Sequence, residues 1–321
     1  MQLPLRMPGL GHVNCYALED EKGFTIVDPG MPGPQAWKLL MERFQLAGFG
    51  LRNVHTVVVT HSHIDHFGAS GRVRVKSGAK VVTSSTFRTW WDPTDVGEQE
   101  LEADEPDPRA PWRHETPWGG KHPRPPARVR LKFRLLRPVM KRWFATPSPS
   151  VRLADAQTIR LGKREWVSVH TPGHTPDHLC LFDPEGGVLL SGDHVLPTIT
   201  PHISGIDAGP DPLSDFFRSL DKVSDLDGVT RVLPAHGHPF DDLTGRVKDI
   251  HRHHEERLAR LTEAAERLGE APVAELSKHL FRQRSWGPMA DSETYAHLEH
   301  LRFAGKATRR EEEGHMLYSV K

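Results

Sequence analysis

The sequence feature that most constrains this chain is a group of four potential metal ligands within six residues, His61, His63, Asp65 and His66. The group follows residues 54–59, a short run of mainly β-branched residues that predicts a buried strand. Side chains alternate along an extended segment, so His61 and His63 should point the same way. The next two ligands turn off toward Gly68, where we expect a helix to begin. Two ligand groups that face different directions favour two metal ions, although a histidine-rich polar loop without a metal is the alternative.

Three later apolar runs also end in a potential ligand. The stretch 166–170 precedes the motif TPGH, which ends at His174, the run LLSGD ends at Asp193, and the run VLPAHG contains His236. A predicted strand followed directly by a potential ligand therefore occurs four times along the chain, a recurrence that chance does not readily produce. Because loops at strand ends carry functional residues on a rigid scaffold, these four loops predict one metal site.

The motif HxHxDH at 61–66, followed in order by PGH, GD and PAHG, resembles the metallo-β-lactamase-fold hydrolases, with a core similar to that of glyoxalase II. The resemblance covers roughly residues 10–240 and is interrupted by an insertion. It implies an α/β fold, the four-layer αββα metallo-β-lactamase sandwich, and a metal-dependent hydrolase.

The resemblance also implies a set of ligands for two divalent metal ions. The first ion would be held by His61, His63 and His174. The second would be held by Asp65, His66 and His236, and Asp193 would bridge the two. All seven positions match the family pattern. A further aspartate, Asp28, would lie beneath the ligand loop and help to orient ligands. An aspartate that only forms a turn is an equally good interpretation of this residue.

The ligand types predict the chemistry of such a centre. Imidazole and carboxylate without thiolate suit Zn²⁺ and leave Mn²⁺ or Fe²⁺ open. The diiron flavoprotein branch of the family usually has glutamate where this chain has His63, which argues against that branch. Two ions that share a water lower its pKa toward about 7, so that a bridging hydroxide can attack an acyl or phosphoryl centre. We expect two catalytic ligands: Asp65, which orients the nucleophile, and Asp193, which contacts both ions.

Composition limits the location and the partners of the protein. The 321 residues carry 42 Lys+Arg and 42 Asp+Glu, so no overall charge attracts nucleic acid. The two cysteines, Cys15 and Cys180, are too few for a disulfide framework and are typical of a reducing compartment. The first residues lack the basic and apolar regions of an export signal, and no window of about 18 residues is continuously apolar. We therefore expect a cytoplasmic protein without a membrane span, and not a secreted, antibiotic-degrading β-lactamase.

The length predicts two domains, a hydrolase domain at 1–242 and a C-terminal helical domain at 243–321. Apolar periodicity in the second predicts helices at 243–268, 272–280 and 292–303, followed by a hairpin around 311–313. This order is the plan of a small winged helix. With the HHxxR triplet at 253–257, the tail resembles a subgroup that includes LACTB-type endoribonucleases, polyketide thioesterases and many uncharacterised bacterial hydrolases. Its mixed charge favours packing or homodimerisation over nucleic-acid binding.

An inserted segment at 88–150 differs from the rest of the chain. It contains eleven prolines and five tryptophans. Residues 92–107 hold eight acidic and no basic residues, whereas residues 121–142 hold nine basic and no acidic residues. In the family, insertions at this place often help to roof the substrate cleft. We interpret the segment as a cap whose basic half attracts an anionic substrate, with a self-neutralising surface excursion as the equal alternative.

Several polar residues have no role that the sequence decides. His178 is commonly structural in similar proteins, and His194 and His202 could either touch substrate or support the site. On the long C-terminal helix, His254 falls on the apolar face and is expected to be a core histidine. The roles of its neighbours His253 and Arg257 stay open.

Three functions are compatible with these features. The first is hydrolysis of a small ester, thioester or lactone, with an anionic small molecule held under the capping segment. The second is cleavage of single-stranded RNA, which the basic stretch at 121–142 keeps open because Lys/Arg clusters bind phosphate. The third is a metal-stabilised binding protein without turnover, which the complete ligand set disfavours. Neutral charge, and the lack of the large inserted domain typical of RNA-processing relatives, favour the first function.

Overall fold

Two β-sheets form the centre of the molecule, in a computed structural model that describes residues 1–7, 11–89, 115–121, 126–128, 131, 135, 143, 147–206 and 208–321. The first sheet has the spatial order β1-β2-β3-β4-β5-β6. Its strands are β1 Gln2–Met7, β2 Gly11–Asp20, β3 Gly23–Val27, β4 Val54–Val58, β5 Lys80–Ser84 and β6 Val151–Leu153. The first three pair in antiparallel fashion, and the pairs from β3 to β6 are parallel.

The second sheet has the spatial order β11-β10-β9-β8-β7. Its strands are β7 Thr158–Leu161, β8 Arg164–His170, β9 Leu179–Asp183, β10 Val188–Gly192 and β11 Arg231–Pro234. Strands β8 and β10 are both antiparallel to β9, and β10 is parallel to β11, so β8, β10 and β11 run in the same direction. The loops that follow these three strands consequently lie at one edge of the sheet.

The central strands are buried on both faces, which explains their nearly continuous apolar sequence. In β4, Val58 packs between the two sheets, whereas Val57 faces the helices outside the first sheet. In β10, Leu190 packs between the sheets and Leu189 faces the helices outside the second. This alternation gives four layers, helix, sheet, sheet and helix, and confirms the predicted fold class.

Seven helices surround the sheets and form the C-terminal part. They are α1 Pro34–Leu46, α2 Ile64–Phe67, α3 Ser70–Ser77, α4 Pro212–Ser224, α5 Leu243–Leu268, α6 Val273–Leu280 and α7 Pro288–Phe303, in the described residues. Helices α1 and α3 pack on the first sheet, and α4 and the beginning of α5 pack on the second. No helix in the described part of the chain is long and apolar enough to cross a membrane.

The C-terminal part has a small core of its own. A three-stranded sheet, of order β12-β14-β13, is formed by β12 Ala271–Pro272, β13 Ala307–Glu312 and β14 His315–Val320. It packs with α6, α7 and the second half of α5 around Leu261, Leu298 and Tyr318. Because α5 also contributes Val247 and Ile250 to the core outside the second sheet, it joins both parts of the molecule. The domain boundary at residue 242 stays a prediction.

The observed start of the last helix differs from the predicted start, and most of the inserted segment lies outside the described residues. The last helix begins at Pro288, one turn before the predicted start at residue 292, because Gly287 and Pro288 form a normal helix start that was not recognised. The acidic stretch 92–107 and most of the basic stretch 121–142 lie outside the described residues. The interpretation of the insertion as a charged cap therefore stays a prediction.

Candidate metal centre

The ligand loops meet at one edge of the two sheets. His61 and His63 lie in the extended segment between β4 and α2, and His63 is the residue that precedes the first turn of α2. Asp65 and His66 lie within α2. The other three predicted ligands follow the parallel-running strands of the second sheet, His174 after β8, Asp193 after β10 and His236 after β11. Each ligand is thus fixed to the end of a buried strand.

All seven predicted ligands come together in two neighbouring groups. The first group consists of His61, His63, His174 and Asp193, and the second of Asp65, His66 and His236. Within each group the potential ligand atoms lie within 4.8 Å of one another. This convergence is the geometry that two metal ions require, and the assignment of individual ligands remains a prediction.

Asp193 lies between the two groups. Its Oδ2 atom is 3.4 Å from Nε2 of His66 and 3.6 Å from Nε2 of His174. Its Oδ1 atom is 3.4 Å from Nε2 of His236. Two ligand atoms on one tetrahedral zinc ion are separated by about 3.3–3.6 Å, because each lies about 2.0–2.2 Å from the metal. The spacing around Asp193 therefore fits a carboxylate that serves both metal positions.

The hydrogen bonds outside the centre orient three histidines toward it. Nδ1 of His174 donates to the main-chain carbonyl of His202 (2.7 Å), and Nδ1 of His236 donates to that of His12 (2.7 Å). Nδ1 of His66 lies 3.0 Å from Oδ2 of Asp28. A carbonyl oxygen can only accept, so the hydrogen of His174 and His236 is on Nδ1, and Nε2 carries the free electron pair that a metal needs.

The inward-facing atoms of the centre form no hydrogen bonds among the described residues, although they approach one another at 3.4–3.6 Å. Nε2 of His66, His174 and His236 and Oδ1 of Asp193 are all buried without a hydrogen bond. Buried polar atoms are nearly always paired, and leaving one unpaired costs about 1–3 kcal/mol. Four such atoms directed at one place are explained by cations between them, and the nitrogen and oxygen ligands suit divalent metal ions.

Burial and charge determine the protonation states around the centre. Burial, helped by the neighbouring histidines, lowers the pKa of His63 to about 3 and keeps it neutral, the form in which imidazole binds metal. Burial also acts to lower the pKa of His236, but the carboxylates of Asp193 and Asp65 outweigh it and raise that pKa to about 9. A cation bound between these carboxylates would displace the proton that they hold on His236.

A buried aspartate supports the ligand loop. Asp28 accepts hydrogen bonds from the main-chain N–H (2.9 Å) and the hydroxyl (2.7 Å) of Thr60, and it contacts His66. The orienting role expected of Asp28 is thus favoured over that of a simple turn residue. His178 is not directed at the centre, because its Nε2 accepts from the N–H of Asp193 (3.0 Å) and its Nδ1 contacts the hydroxyl of Thr171.

Sequence reasoning missed several residues that hold the ligand loops. Asn14 donates to the carbonyls of Pro234 and Gly237, on either side of His236, at 2.9 Å each. A polar residue inside the apolar run of β2 was the available signal for it. Ser62 donates to the buried carboxyl of Asp177 (3.0 Å) and links two of the loops. Asn14 lies outside the ligand motifs, and Ser62 occupies one of the unspecified positions of HxHxDH.

A basic groove of about 840 Å³ begins beside the second ligand group. Its charged and polar lining consists of Gln2, Arg6, His12, Arg43 and His238, with no acidic side chain among the described residues. The groove adjoins the centre because the carbonyl of His12 accepts the hydrogen bond from His236. Neither Arg6 nor Arg43 forms an ion pair within the described ranges. The groove therefore carries two arginines that have no ion-pair partner in the described part of the chain.

The fold and the paired ligand groups define a class, the metal-dependent hydrolases with an αββα sandwich. Comparison with known proteins agrees: the family model of the metallo-beta-lactamase superfamily matches residues 8–236. This chain belongs to that superfamily and is a metal-dependent hydrolase.

Two solved structures and one curated relative are similar over nearly the whole chain. A metallo-beta-lactamase family protein from Thermus thermophilus is 27% identical, with a TM-score of 0.76, and 100% of this chain and 98% of that chain are covered. A beta-lactamase domain protein from Burkholderia ambifaria is 26% identical, with a TM-score of 0.74, covering 100% and 91%. The probable metallo-hydrolase YqjP of Bacillus subtilis is 26% identical, and 93% of this chain and 91% of that protein are covered. The similarity therefore includes the C-terminal part.

Proposed function

We propose that this protein is a dinuclear metal-dependent hydrolase that cleaves a small ester, thioester or lactone carrying an anionic group. The observation that carries the proposal is the convergence of four buried, unpartnered ligand atoms on His66, His174, Asp193 and His236. The ligand set fits Zn²⁺ best, with Mn²⁺ and Fe²⁺ as alternatives. When bound, two such ions supply acidified water at neutral pH and polarise the electrophilic oxygen of the substrate.

The protein's own residues position the reactants. The side chain of Asp65 keeps contact with solvent, at 15% exposure, and its Oδ2 lies 3.5 Å from Nε2 of both His66 and His236. A carboxylate in this position can accept a hydrogen bond from the attacking water and direct its lone pair toward the substrate. Asp193 approaches histidines of both ligand groups, so its carboxylate would hold both ions.

The basic groove supports the choice of an anionic substrate. Arg6 and Arg43, which have no carboxylate partner among the described residues, line the same groove as His12, whose carbonyl accepts the hydrogen bond from His236. A carboxylate or phosphate on the substrate would find its counter-charge there, and guanidinium groups suit both. The reacting carbonyl would then face the centre.

A panel of three substrates tests the function. The metal-loaded protein is incubated with an anionic thioester, a neutral lactone and a labelled single-stranded RNA, before and after chelation. We expect cleavage of the thioester or the lactone that chelation removes and added Zn²⁺ restores. Cleavage of the RNA alone would establish the endoribonuclease alternative, which the same basic groove could serve. No turnover of any of the three by protein with two metals per chain would contradict the proposed substrate class.

A charge variant tests the groove. Arg6→Gln should raise KM for the anionic thioester several-fold while kcat is retained, because only binding of the distant anionic group is lost. Arg52→Gln, an exposed arginine on a turn outside the groove, is the matched control and should leave KM unchanged. Equal effects of the two variants would show that the groove does not bind the anionic group of the substrate.

The remaining expectations concern partners and location. We propose a small-molecule substrate and a cytoplasmic location, which the two free, buried cysteines Cys15 and Cys180 support. Homodimerisation through the C-terminal part stays a prediction.

A further inference from the structure

A buried polar cluster connects the C-terminal helices to the metal centre. It consists of Arg257 on α5, Glu293 on α7 and His202, which lies in the segment between β10 and α4. The side chains of Glu293 and Arg257 are 9% and 14% exposed, so their charges are largely withdrawn from water. A buried carboxylate at a junction of three elements must be held by specific partners.

The contacts form a chain that ends on a predicted ligand. The guanidinium of Arg257 pairs with Oε1 of Glu293, and Nδ1 of His202 lies 3.1 Å from Oε2 of the same carboxylate. The main-chain carbonyl of His202 in turn accepts the hydrogen bond from Nδ1 of His174 at 2.7 Å. Beside this chain, the hydroxyl of Ser292 accepts from the N–H of Gly205 (3.0 Å), so α7 holds the segment at a second point.

We infer that Glu293 and His202 are positioning residues: together they fix the carbonyl that orients His174, so the C-terminal helices set the metal affinity of the first ligand group. This inference rests on the proposed metal centre. Outer contacts of a ligating histidine fix its tautomer and the direction of its ring, and their loss typically lowers metal affinity about 10- to 100-fold. The inference assigns roles to His202 and Arg257, which the sequence left open.

The same cluster does not need a metal of its own. His254, Glu293 and His297 lie close enough to hold a cation. However, Nδ1 of His297 donates to the carbonyl of Glu293 (2.7 Å), and its Nε2 lies 3.0 Å from Nδ1 of His254 as an acceptor. The carboxylate of Glu293 is already shared between Arg257 and His202. Existing hydrogen bonds and an adjacent guanidinium therefore account for this group.

Substitutions at His202 test the inference without leaving a buried charge unpaired, because Glu293 keeps Arg257. His202→Ala removes the link and retains the main-chain carbonyl. His202→Asn keeps a side-chain donor near the place of Nδ1 and should restore the link. The matched control is His300→Ala: His300 also lies on α7, its side chain is 22% exposed, and it pairs with Asp211 at 3.1 Å away from the ligands. It tests whether any loss of a contact to α7 has the same effect.

The measurement is the pair of zinc dissociation constants of the full-length protein, obtained by competition with a chelator. The zinc-binding event that is lost in His174→Ala identifies the first metal position. We expect His202→Ala to weaken this position about 10- to 100-fold and the other by less than about threefold. Wild-type values are expected for His202→Asn and His300→Ala. The Nδ1–H of His174, followed by NMR, should exchange faster with solvent only in His202→Ala.

A second variant removes the charges from the other end of the chain. Glu293→Leu combined with Arg257→Met removes both buried charges and the acceptor for Nδ1 of His202, so it should reproduce the shift of His202→Ala. Unchanged affinity in either variant, or an equal shift in His300→Ala, would overturn the inference while the metal centre stands. A wild-type protein that binds no zinc would instead overturn the proposed function.

Discussion

At the scale of single residues, the metal centre depends on which nitrogen of each histidine carries the hydrogen atom. His174 and His236 donate from Nδ1 to main-chain carbonyls, which leaves Nε2 as the ligand atom. His63 differs, because its Nδ1 faces the ring of His61 at 3.0 Å from Nε2. For His174 and His236, partners outside the site therefore determine which nitrogen can bind metal.

Asp193 should be the most sensitive ligand. Its two oxygens approach histidines of both groups, so Asp193→Ala removes a ligand from each metal position at once. We expect metal content to fall from two ions to fewer than one per chain and turnover to be lost, as measured by elemental analysis and a rate assay. Asp183→Ala is the control, since Asp183 is a buried aspartate at the end of β9 that pairs with Arg164 instead. Full activity at two metals per chain in Asp193→Ala would refute the bridging role.

The buried pair His254 and His297 predicts acid sensitivity away from the metal centre. Burial lowers the pKa of His297 from 6.5 to about 4, with Glu293 opposing and Arg257 and His300 assisting. The unfolded chain therefore binds a proton between these pH values that the folded chain does not. The resulting stability is fully present above pH 6.5 and decreases as the pH falls toward 4, by about 3 kcal/mol in total.

Urea unfolding as a function of pH, with excess chelator to keep metal loss out of the comparison, measures this effect. His297→Asn retains a donor for the carbonyl of Glu293 but cannot titrate, so its free energy of unfolding should depend less on pH between 4 and 6.5. The exposed His279→Asn should follow the wild type. Identical slopes for the two variants would contradict the assignment.

At the scale of elements, the ligand loops are shaped by close approaches to neighbouring helices. Gly173, which precedes His174, has a φ of 134°, and a Cβ placed there would lie 2.5 Å from the Cα of Phe216 on α4. Only glycine fits between the loop and the helix at this point. The motif TPGH therefore specifies the contact with α4 as well as the ligand.

Gly173→Ala should displace His174 and weaken the first metal position. The added methyl group meets main-chain atoms of α4, which cannot move aside without shifting the helix. We expect a lower melting temperature and less than two zinc ions per chain. The control is Gly228→Ala, because Gly228 also has a positive φ (79°) but has no atom within 4 Å of the added Cβ. This variant has only the backbone strain of alanine at positive φ and should retain both metals. Equal metal content in the two variants would show that the contact with Phe216 is unimportant.

The sequence predicted elements and ligands well where local signals are strong. Helix α5 was predicted at its observed bounds from its apolar periodicity and from Gly269, which ends it, and the structure shows in addition that Asp242 caps its start. The seven ligands could be found because each follows a strand or lies in one dense motif. Asp28 could be found as an orienting residue, but the carbonyls of His12 and His202 could not, because main-chain atoms have no sequence signature. Only the folded chain brings them to the ligands.

At the scale of the whole molecule, part of the insertion is attached to the C-terminal sheet. Residues 115–121 reach the β13–β14 hairpin, where Gly119 pairs with His315 and the N–H of Met316 donates to the carbonyl of Trp118 (3.0 Å). The Trp118 ring is 7% exposed and packs in the C-terminal core. The insertion thus connects the hydrolase sheets to the C-terminal part, a contact that its proline-rich sequence did not predict.

Removing this contact should destabilise the molecule. Trp118→Ala deletes a buried aromatic side chain, and we expect the free energy of unfolding to fall by about 3–5 kcal/mol in chemical denaturation. Amide exchange should increase in β13 and β14. Trp286→Ala is the control: Trp286 also lies in the C-terminal part but is 44% exposed, so its loss should cost less than about 1 kcal/mol. Equal costs would indicate that the insertion does not support the C-terminal core.

The most direct test of the central claim is anomalous diffraction from crystals of the zinc-loaded protein, recorded on both sides of the zinc absorption edge. We expect two zinc peaks per chain, with Asp193 in contact with both. One peak should lie among His61, His63 and His174, and the other among Asp65, His66 and His236. A single peak, a peak elsewhere such as beside His254, or none at all would contradict it.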